Sequence, residues 1–435
     1  MIYNNITELI GNTPLLKINS AIHGLENFEV YAKLEYYNPF GSVKDRVAWS
    51  MLKPVLKDLI KSKKTVVEAS SGNTAKALSI LCSLYGLDFK TVTNRIKIPE
   101  IRMNLQLLGS QIEELPGLSD CPDPNDPNDF TTVAANLAKS NPDKYHYTDQ
   151  YFNKQNFLAH FENTGPEILA DLKKVDYFFS FLGTCGSSVG AGQYLKEQSQ
   201  TKVIGVVASS GHHVPGGRNM SELWEVGLFK EIFFEDLAEG TTQDAIEGML
   251  ILNRKCGVLG GPTSGLNYQA MINYLKPFND SAKEKRTAVF IVCDRVESYM
   301  SYIKKHKPEI FQKQISSRQA VENYAEIELI KTQKIDAASL YKKLNDCNIV
   351  DIRGNFAYSI AHIPGSVNIL DELFSQIIEQ GDSFSKDKEL VIVCSEGKIS
   401  PKYVAFLTNQ GYTAFSLEDG FKTWKKLGLE VRKSI

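Results

Sequence analysis

Short runs of β-branched and aromatic residues alternate along the chain with segments of helical apolar spacing. The run "KTVVEA" precedes "NTAKALSILCSLYG", "VDYFFSFL" precedes "SVGAGQYLKEQ", and "TAVFIVC" precedes "DRVESYMSYIKK". A strand followed by a helix, repeated in this way, is typical of βα units that build a mostly parallel sheet. The pattern therefore predicts an α/β fold.

This alternation is interrupted near residue 310 and then resumes. Polar residues dominate up to Gln319, and a second βα series begins near "AEIELI" and continues through "CNIVDIRG", "KELVIVC" and "YTAFSL". A chain of 435 residues is also too long for one ordinary hydrophobic core. We predict two domains, residues 1–315 and 325–435, joined by a linker at 316–324. The Pro-, Asp- and Asn-rich stretch at 116–130 is predicted to be an exposed loop.

Composition and charge argue against several classes of protein. Hydrophobic residues make up 43% of the chain and charged residues 23%, as in soluble globular proteins. The formal charge of −2 and the lack of a long basic run argue against nucleic-acid binding. We expect a cytoplasmic protein without membrane contact, because neither a secretory signal nor a bilayer-length apolar run is visible. The seven scattered cysteines contain no CxxC pair, so we expect neither a disulfide framework nor a metal site.

Three segments carry candidate chemistry. Lys44 lies in "NPFGSVKDR"; a lysine at a helix start is usually solvated, but a partly desolvated lysine can form a Schiff base with a carbonyl. The glycine-rich "GTCGSSVG" at 183–190 follows an apolar run, and its backbone N–H groups could surround a phosphate. The segment "EASSGNTA" at 68–75 offers hydroxyls and Asn73 to an anion. Taken alone, each turn is as well explained by helix capping.

Together, these segments resemble the fold-type II pyridoxal-phosphate enzymes, specifically the cysteine synthase and cystathionine β-synthase family. The matching stretches are "IGNTPLLKI", "VYAKLEYYNPFGSVKDR", "VEASSGNTA", "NFLAHFENTGPEI", "GTCGSSVG" and "GGPTSG", in order over about residues 5–300. The resemblance implies two α/β subdomains with parallel-type sheets, pyridoxal 5′-phosphate as cofactor, and a homodimer.

The resemblance also implies a role for individual residues. Lys44 would be the catalytic Schiff-base lysine, and Asn73 would bind the cofactor's 3′ oxygen. Thr263 would face the pyridine nitrogen; a neutral hydroxyl leaves that nitrogen unprotonated, which suits β-elimination. The cofactor phosphate would be held by Gly183, Thr184, Cys185, Gly186 and Ser187. The substrate carboxylate would be held by Ser70, Ser71, Gly72, Thr74 and Gln150.

Two positions depart from the pattern of the O-acetylserine enzymes. Cys185 replaces the usual glycine of the phosphate loop, and we expect cofactor binding to survive unless this position needs a positive φ. The element "GGRNM" resembles the Arg-Asn-Met element of the O-phosphoserine-dependent cysteine synthases. Arg218 would then receive the substrate phosphate, which a guanidinium can bind through two parallel hydrogen bonds. The alternatives are a surface arginine and O-acetylserine as substrate.

The C-terminal part resembles the single-domain rhodanese family, a small α/β domain, across about residues 325–433. The matching stretches are "VDIRGNFAYSIAHIPGSVNI", "VCSEGKIS" and "LEDGFKTWKKLG". Cys394 takes the place of the sulfur-carrying cysteine, and Lys398 would place a positive charge in its loop. Asp351, Arg353 and His362 match elements that are structural more often than catalytic.

These observations predict a cysteine synthase that replaces the β-substituent of an activated serine with sulfur. Cys394 would carry sulfur as a persulfide and deliver it directly or through a sulfur-carrier protein, so the partners are a small amino acid and a sulfur donor. One alternative replaces sulfur by an amine or by homocysteine, giving a 2,3-diaminopropionate-type or cystathionine β-synthase. Another makes the C-terminal domain a non-catalytic binding or sensing module with a redox-sensitive thiol.

Overall fold

The chain folds as two α/β units, Met1–Gln312 and Lys313–Ile435. The computed structural model describes residues 2–94, 96–116, 126–223, 226–279, 284–311, 332–379 and 384–434. The linker predicted at 316–324, the start of the second βα series at 325–330 and residues 117–125 of the predicted loop lie outside the described residues. The domain boundary near residue 315 therefore stays a prediction.

The strands of the first unit form two sheets. In chain order they are β1 (Leu15–Ile18), β2 (Phe28–Leu34), β3 (Thr65–Ala69), β4 (Phe89–Thr93), β5 (Gln111–Glu114), β6 (Tyr145–Tyr147), β7 (Tyr177–Phe181), β8 (Lys202–Ala208), β9 (Asp236–Gly240) and β10 (Arg286–Val292). The six-stranded sheet has the order β1-β2-β10-β7-β8-β9, and the four-stranded sheet has the order β5-β4-β3-β6. Every neighbouring pair is parallel except β1 and β2.

Helices connect these strands. They are α1 (Ser20–His23), α2 (Lys44–Leu52), α3 (Leu56–Ser62), α4 (Asn73–Leu84), α5 (Pro99–Leu107), α6 (Phe130–Ser140), α7 (Lys154–Ala159), α8 (Gly165–Asp171), α9 (Gly186–Ser199), α10 (Thr242–Lys255), α11 (Pro262–Asn279) and α12 (Met300–His306). All five residues of β7 and of β3 are buried. Burial on both faces explains why these strands are continuous apolar runs rather than alternating ones.

The second unit is built around one parallel sheet in the order β11-β15-β14-β12-β13. Its strands are β11 (Lys334–Ile335), β12 (Cys347–Asp351), β13 (Val367–Asn368), β14 (Glu389–Val393) and β15 (Ala414–Leu417). Its helices are α13 (Ala337–Lys342), α14 (Asn355–Ile360), α15 (Asp371–Glu379), α16 (Ser400–Asn409) and α17 (Gly420–Lys426). The fully buried Trp424, Tyr403 and Phe374 pack against this sheet. The prediction of an α/β fold is confirmed for both units.

Candidate active site

A polar pocket of the first unit lies at the carboxyl ends of β3, β7 and β10. Ser70 follows β3, Gly183 lies two residues beyond β7, and Cys293 follows β10. Ligands of open α/β sheets bind at such strand ends. The pocket brings together other residues singled out from the sequence, which are Lys44, Ser71, Gly72, Asn73, Thr74, Gln150, Thr184, Cys185, Ser187, Arg218 and Thr263.

Lys44 is the first residue of α2 and follows a tight turn. Gly41 has a φ of +89°, a conformation that a residue with a Cβ rarely adopts. The Ser42 hydroxyl accepts a hydrogen bond from the Lys44 N–H at 3.2 Å and donates to Asp45 Oδ1 at 3.0 Å. Burial lowers the pKa of the Lys44 ammonium below its ordinary value. A lysine with a lowered pKa can act as a nucleophile and exchange protons near neutral pH.

A buried ion network anchors α2. Arg46 Nε lies 2.7 Å from Glu35 Oε2, and Arg46 Nη2 lies 2.6 Å from Glu167 Oε2. Lys33 Nζ, which is fully buried, contacts the same Glu167 oxygen at 2.8 Å. Two carboxylates therefore neutralise two buried cations. The network ties β2, α2 and α8 together and fixes the position from which Lys44 enters the pocket.

Asn73 is held in place by a carboxylate that the sequence reasoning did not find. Asn73 is the first residue of α4, and its Nδ2 donates to Asp294 Oδ2 at 2.6 Å. The Tyr299 hydroxyl donates to the same oxygen. Asp294 and Tyr299 both line the pocket. They orient Asn73, whose predicted role is to bind the cofactor's 3′ oxygen.

The loop before α4 offers an anion subsite. Gly72 is the N-cap of this 12-residue helix, so the N–H groups of the first turn point toward the pocket. Thr74 Oγ1 donates to Gln150 Oε1 at 2.6 Å, and Gln150 Nε2 donates to the Ala69 carbonyl at 3.1 Å. Thr74 and Gln150, both predicted to bind the substrate carboxylate, are thus directly hydrogen-bonded to each other.

The glycine-rich loop joins β7 to α9. Cys185, the N-cap of α9, has a φ of +62° and a ψ of 4°. A Cβ added at Gly186 would lie 1.8 Å from Asn156 Oδ1, and one at Gly183 would lie 2.7 Å from the Gly216 carbonyl oxygen. Only glycine fits at either position without displacing these neighbours. No side chain caps the start of α9, and the first N–H groups of a helix can receive an anion. Phosphate binding by residues 183–187 stays a prediction.

The replacement of glycine by Cys185 falls at a position with positive φ. A non-glycine residue in this conformation costs about 1–2 kcal/mol. This cost lowers the stability of the fold. It does not change the direction of the Cys185 N–H, which points as it would with glycine at this position. Burial raises the pKa of the Cys185 thiol to about 12, so the side chain is a neutral thiol at physiological pH.

Thr263 lies at the start of α11 and is 5% exposed. Among the described residues, its hydroxyl has no nitrogen or oxygen partner at hydrogen-bond distance; the polar group next to it is the Cys293 thiol, a weak acceptor. A buried hydroxyl without a partner is costly unless a ligand satisfies it. The backbone of the adjacent Cys293 is pinned by Ser264, whose Oγ accepts its N–H at 2.9 Å.

Arg218 is buried in the pocket without a counter-charge. The residue is 6% exposed, and no carboxylate of the described residues lies within ion-pair distance of its guanidinium. Its Nε has no partner among these residues, whereas its Nη2 donates to the Tyr151 hydroxyl at 3.2 Å. The backbone is fixed, because the Arg218 N–H donates to Leu182 O at 3.0 Å. The alternative of a surface arginine is wrong.

The sequence reasoning missed several pocket residues, among them Tyr151, Cys293, Asp294 and Tyr299. Cys293 and Asp294 directly follow the apolar run of β10, and the carboxyl end of a parallel strand is a place where site residues are expected. Tyr151 is the neighbour of Gln150 in the chain. These positions could have been found by asking which side chains follow each predicted strand.

The second unit places Cys394 directly after β14, before α16. Its Sγ lies 3.2 Å from Ser400 Oγ and accepts the Ser400 N–H at 3.5 Å. Burial raises the pKa of the Cys394 thiol, but hydrogen bonds from the Ser400 hydroxyl and from the N–H groups of Ser400, Ile399 and Glu396 outweigh it. The net effect is a pKa below the ordinary value. This thiol therefore has the thiolate character that a nucleophile needs.

The other residues noted in the second unit serve structure. Arg353 Nη2 pairs with Asp351 Oδ2 at 2.6 Å and also donates to the Ala361 carbonyl at 2.9 Å. His362 Nδ1 lies 2.9 Å from the Tyr358 carbonyl oxygen. Lys398 is exposed and pairs with Glu396 at 2.8 Å. The groups that stabilise a sulfur anion at Cys394 are the hydroxyl and backbone N–H groups of its own loop.

The fold and pocket define an α/β enzyme with a desolvated lysine and an anion-binding loop, followed by a unit with an activated cysteine. A family model described as "Pyridoxal-phosphate dependent enzyme" matches residues 6–294, and one described as "Rhodanese-like domain" matches residues 336–427. The chain belongs to the cysteine synthase family of pyridoxal-phosphate-dependent enzymes and carries a C-terminal rhodanese-like domain.

Individual relatives agree with this assignment. The chain is 32% identical over 303 residues to a cysteine synthase of Aquifex aeolicus, covering 68% of this chain and 90% of the relative. It is 30% identical over 305 residues to cysteine synthase B of Escherichia coli, covering 68% of this chain and 95% of the relative. The structure of a hydrogen sulfide-producing enzyme from Fusobacterium nucleatum superposes with a TM-score of 0.61 at 30% identity, covering 69% of this chain and all of that one.

The pocket fits pyridoxal phosphate, the cofactor of this family. Each part of the cofactor has a matching group in the pocket. The aldehyde requires a partly desolvated lysine, which is Lys44. The ring nitrogen requires a buried hydroxyl such as that of Thr263, and the phosphate requires a helix N-terminus such as that at Gly186. Among the described residues, no cluster of acidic, histidine and cysteine side chains could hold a metal ion. In the same part of the chain, no helix is long and apolar enough to cross a bilayer.

Proposed function

We propose that this chain is a cysteine synthase that uses O-phosphoserine, and that its rhodanese-like domain supplies sulfur as a Cys394 persulfide. The choice of O-phosphoserine as substrate is supported by the guanidinium of Arg218, which is buried and has no carboxylate partner among the described residues. A buried charge is costly unless it is paired, so the partner of Arg218 is expected to be a ligand anion.

The number of anionic groups on the substrate decides between the candidates. An amino acid has one carboxylate, for which the start of α4, with Thr74 and Gln150, is already available. O-acetylserine brings no second anion. O-phosphoserine brings a phosphate, which the Nε and Nη groups of Arg218 can bind through charge-assisted hydrogen bonds. The pocket therefore favours the phosphorylated substrate.

The residues of the pocket divide the work of β-replacement. Pyridoxal phosphate, when bound, takes up the electron pair at the substrate Cα and so allows the β-substituent to leave. Lys44 Nζ removes the proton from Cα and returns it after sulfur has added. Asn73, which Asp294 orients, and the Thr263 hydroxyl would hold the pyridine ring of the cofactor in position. The 183–187 loop and the start of α4 bind the two anionic ends.

Sulfur delivery by Cys394 requires two balanced steps. The Cys394 thiolate attacks the outer sulfur of thiosulfate, the S–S bond breaks, and sulfite leaves with its electron pair, which gives a Cys394 persulfide. A dithiol then reduces the persulfide with two electrons, which yields sulfide, the Cys394 thiolate and the oxidised dithiol. The sulfide adds to the β-carbon. Fusion of the two domains raises the effective concentration of sulfide donor and acceptor.

Two assays test this proposal on the full chain. With sulfide present, cysteine formation is compared for O-phosphoserine and O-acetylserine. A preference for O-acetylserine would refute the proposal that O-phosphoserine is the substrate. With thiosulfate and a dithiol instead of sulfide, the Cys394→Ser variant should form no cysteine while keeping its activity with sulfide. Cys347→Ser is the matched control, because burial raises the pKa of this second cysteine of the same unit. Full thiosulfate-dependent activity of Cys394→Ser would overturn the sulfur relay.

The same assay separates the alternatives. Offering sulfide, an amino-acid amine and homocysteine side by side distinguishes a cysteine synthase from a 2,3-diaminopropionate-type or a cystathionine β-synthase. A binding or sensing module would not retain labelled sulfur from thiosulfate on Cys394. The homodimer, the cytoplasmic location and a sulfur-carrier partner stay predictions.

A further inference from the structure

Tyr151 is a pocket residue that the mechanism above leaves without a task. The side chain is 7% exposed, lines the pocket, and packs edge-to-face on Phe130 with ring centroids 6.4 Å apart. Its hydroxyl lies 3.2 Å from Arg218 Nη2, and the Arg218 Cζ lies 5.4 Å from the ring centroid. Tyr151 is thus held rigidly next to the proposed phosphate receptor.

The hydrogen-bond balance of this pair leaves two donors without an acceptor among the described residues. The Tyr151 oxygen accepts from Arg218, and the phenolic proton has no acceptor among the described residues. Arg218 Nε has none there either. Burial raises the pKa of the Tyr151 phenol and Arg218 opposes this rise, so the phenol carries its proton at neutral pH. A buried donor without an acceptor is costly, and a phosphate oxygen would satisfy both groups.

We infer that Tyr151 donates its phenolic proton to the leaving phosphate of O-phosphoserine while Arg218 holds that phosphate. This inference rests on the proposed function. When the Cβ–O bond breaks, its electron pair stays on the bridging oxygen, and a doubly ionised phosphate ester would leave as the strongly basic trianion. Transfer of the Tyr151 proton to this oxygen produces hydrogen phosphate and a phenolate beside Arg218. Water reprotonates the phenolate after the phosphate has left.

The leaving group of O-acetylserine makes no such demand. Acetate is a weak base and leaves without a proton donor. Tyr151 should therefore matter for the phosphorylated substrate and little for the acetylated one. A residue that only supported the fold would affect both substrates alike, so the two leaving groups separate a chemical from a structural role.

The test uses Tyr151→Phe in the full chain with bound cofactor, and follows the elimination step by rapid mixing. The elimination rate with O-phosphoserine should fall about 100-fold, the lower end of general acid catalysis. KM should change little, because Arg218 remains, and the rate with O-acetylserine should be retained. Tyr147→Phe is the matched control, because Tyr147 lies in β6, four residues before Tyr151, and has a buried hydroxyl, but does not line the pocket. Replacement of Tyr151 by 3-fluorotyrosine, which keeps the phenol, should restore the elimination rate.

Each contrary outcome has a separate meaning. If the wild-type enzyme does not react with O-phosphoserine, the proposed function fails and this inference falls with it. If the wild type reacts and Tyr151→Phe keeps its rate, the inference alone is overturned. An equal loss with both substrates, or no recovery with 3-fluorotyrosine, also overturns it, because Tyr151 would then support the fold or the site in general.

Discussion

Replacing Arg218 by methionine removes the guanidinium and keeps a side chain of similar length. The free Nε and one Nη group can each donate a charge-assisted hydrogen bond to a phosphate. Such bonds contribute about 1.5–3 kcal/mol each. Two bonds at the lower end give about 3 kcal/mol, or roughly 150-fold in kcat/KM. We expect this loss with O-phosphoserine and almost none with O-acetylserine.

The stability of Arg218→Met should change in the opposite direction from its activity. The native guanidinium is buried without a carboxylate among the described residues, so its desolvation is uncompensated. Loss of the Tyr151 hydrogen bond is offset by removal of this buried charge. We expect the free energy of unfolding to stay unchanged or rise by about 1 kcal/mol. Lower activity with O-phosphoserine without a loss of stability is typical of a residue kept for its ligand.

Three measurements check this prediction: kcat/KM with each substrate, thermal unfolding, and the upward shift of the unfolding temperature by inorganic phosphate. The phosphate shift should be present in the wild type and absent in Arg218→Met, because a ligand stabilises only the state that binds it. Arg218→Lys keeps the charge without the planar fork and should lie between the two. Arg254→Met changes an exposed arginine and is the control. Equal losses with both substrates together with a destabilised fold would refute the phosphate-receptor role.

Three further predictions concern the rest of the molecule. Ser400→Ala removes a hydrogen bond to the Cys394 sulfur and so raises the pKa of this thiol; the pH at which its alkylation rate reaches half-maximum should move upward. Arg46→Met leaves the buried Glu35 without its ion-pair partner and leaves Glu167 paired with Lys33 alone, and it should lower the free energy of unfolding by about 3–5 kcal/mol in a denaturant titration, the reverse of Arg218→Met. Gly186→Ala drives a methyl group into Asn156 and should cost about 1–3 kcal/mol of stability, with weaker cofactor binding by absorbance titration. An unchanged alkylation profile, a stable Arg46→Met or normal cofactor binding by Gly186→Ala would each contradict the contact concerned.

Local patterns made most of the fold predictable. The apolar run of β7 and the small residues that follow it identify a strand, a turn and a helix start within one short segment, so the 183–187 loop could be placed from sequence. The Gly-Ser turn before Lys44 drew attention to this lysine, but its Schiff-base role came only from the family resemblance. In both segments the residues that shape the turn lie within a few positions of the residue or loop that the turn places.

Long-range contacts could not be predicted in this way. Asp294 orients Asn73 across 221 positions of the chain, and this depends on β10 lying between β2 and β7 in the sheet. The usual glycine at position 185 raised the question of a positive φ there, but cysteine carries no preference for this conformation, so the sequence could not decide it. For Lys398 the charge was visible in the sequence, but its ion pair with Glu396 was not.

The cysteines of the two units differ in how readily their thiols ionise, and this difference supports the proposed function. β-Elimination creates an electrophilic β-carbon in a pocket that contains two thiols, those of Cys185 and Cys293. Burial raises the pKa of each to about 12, so both remain protonated and are poor nucleophiles. Sulfide, in contrast, is anionic near neutral pH and is therefore the better nucleophile. At Cys394 the balance is reversed, because Ser400 and backbone N–H groups favour the thiolate. Under the proposed function, the reactive β-carbon would therefore react with the incoming sulfide rather than with Cys185 or Cys293, and Cys394 would be the cysteine that carries sulfur.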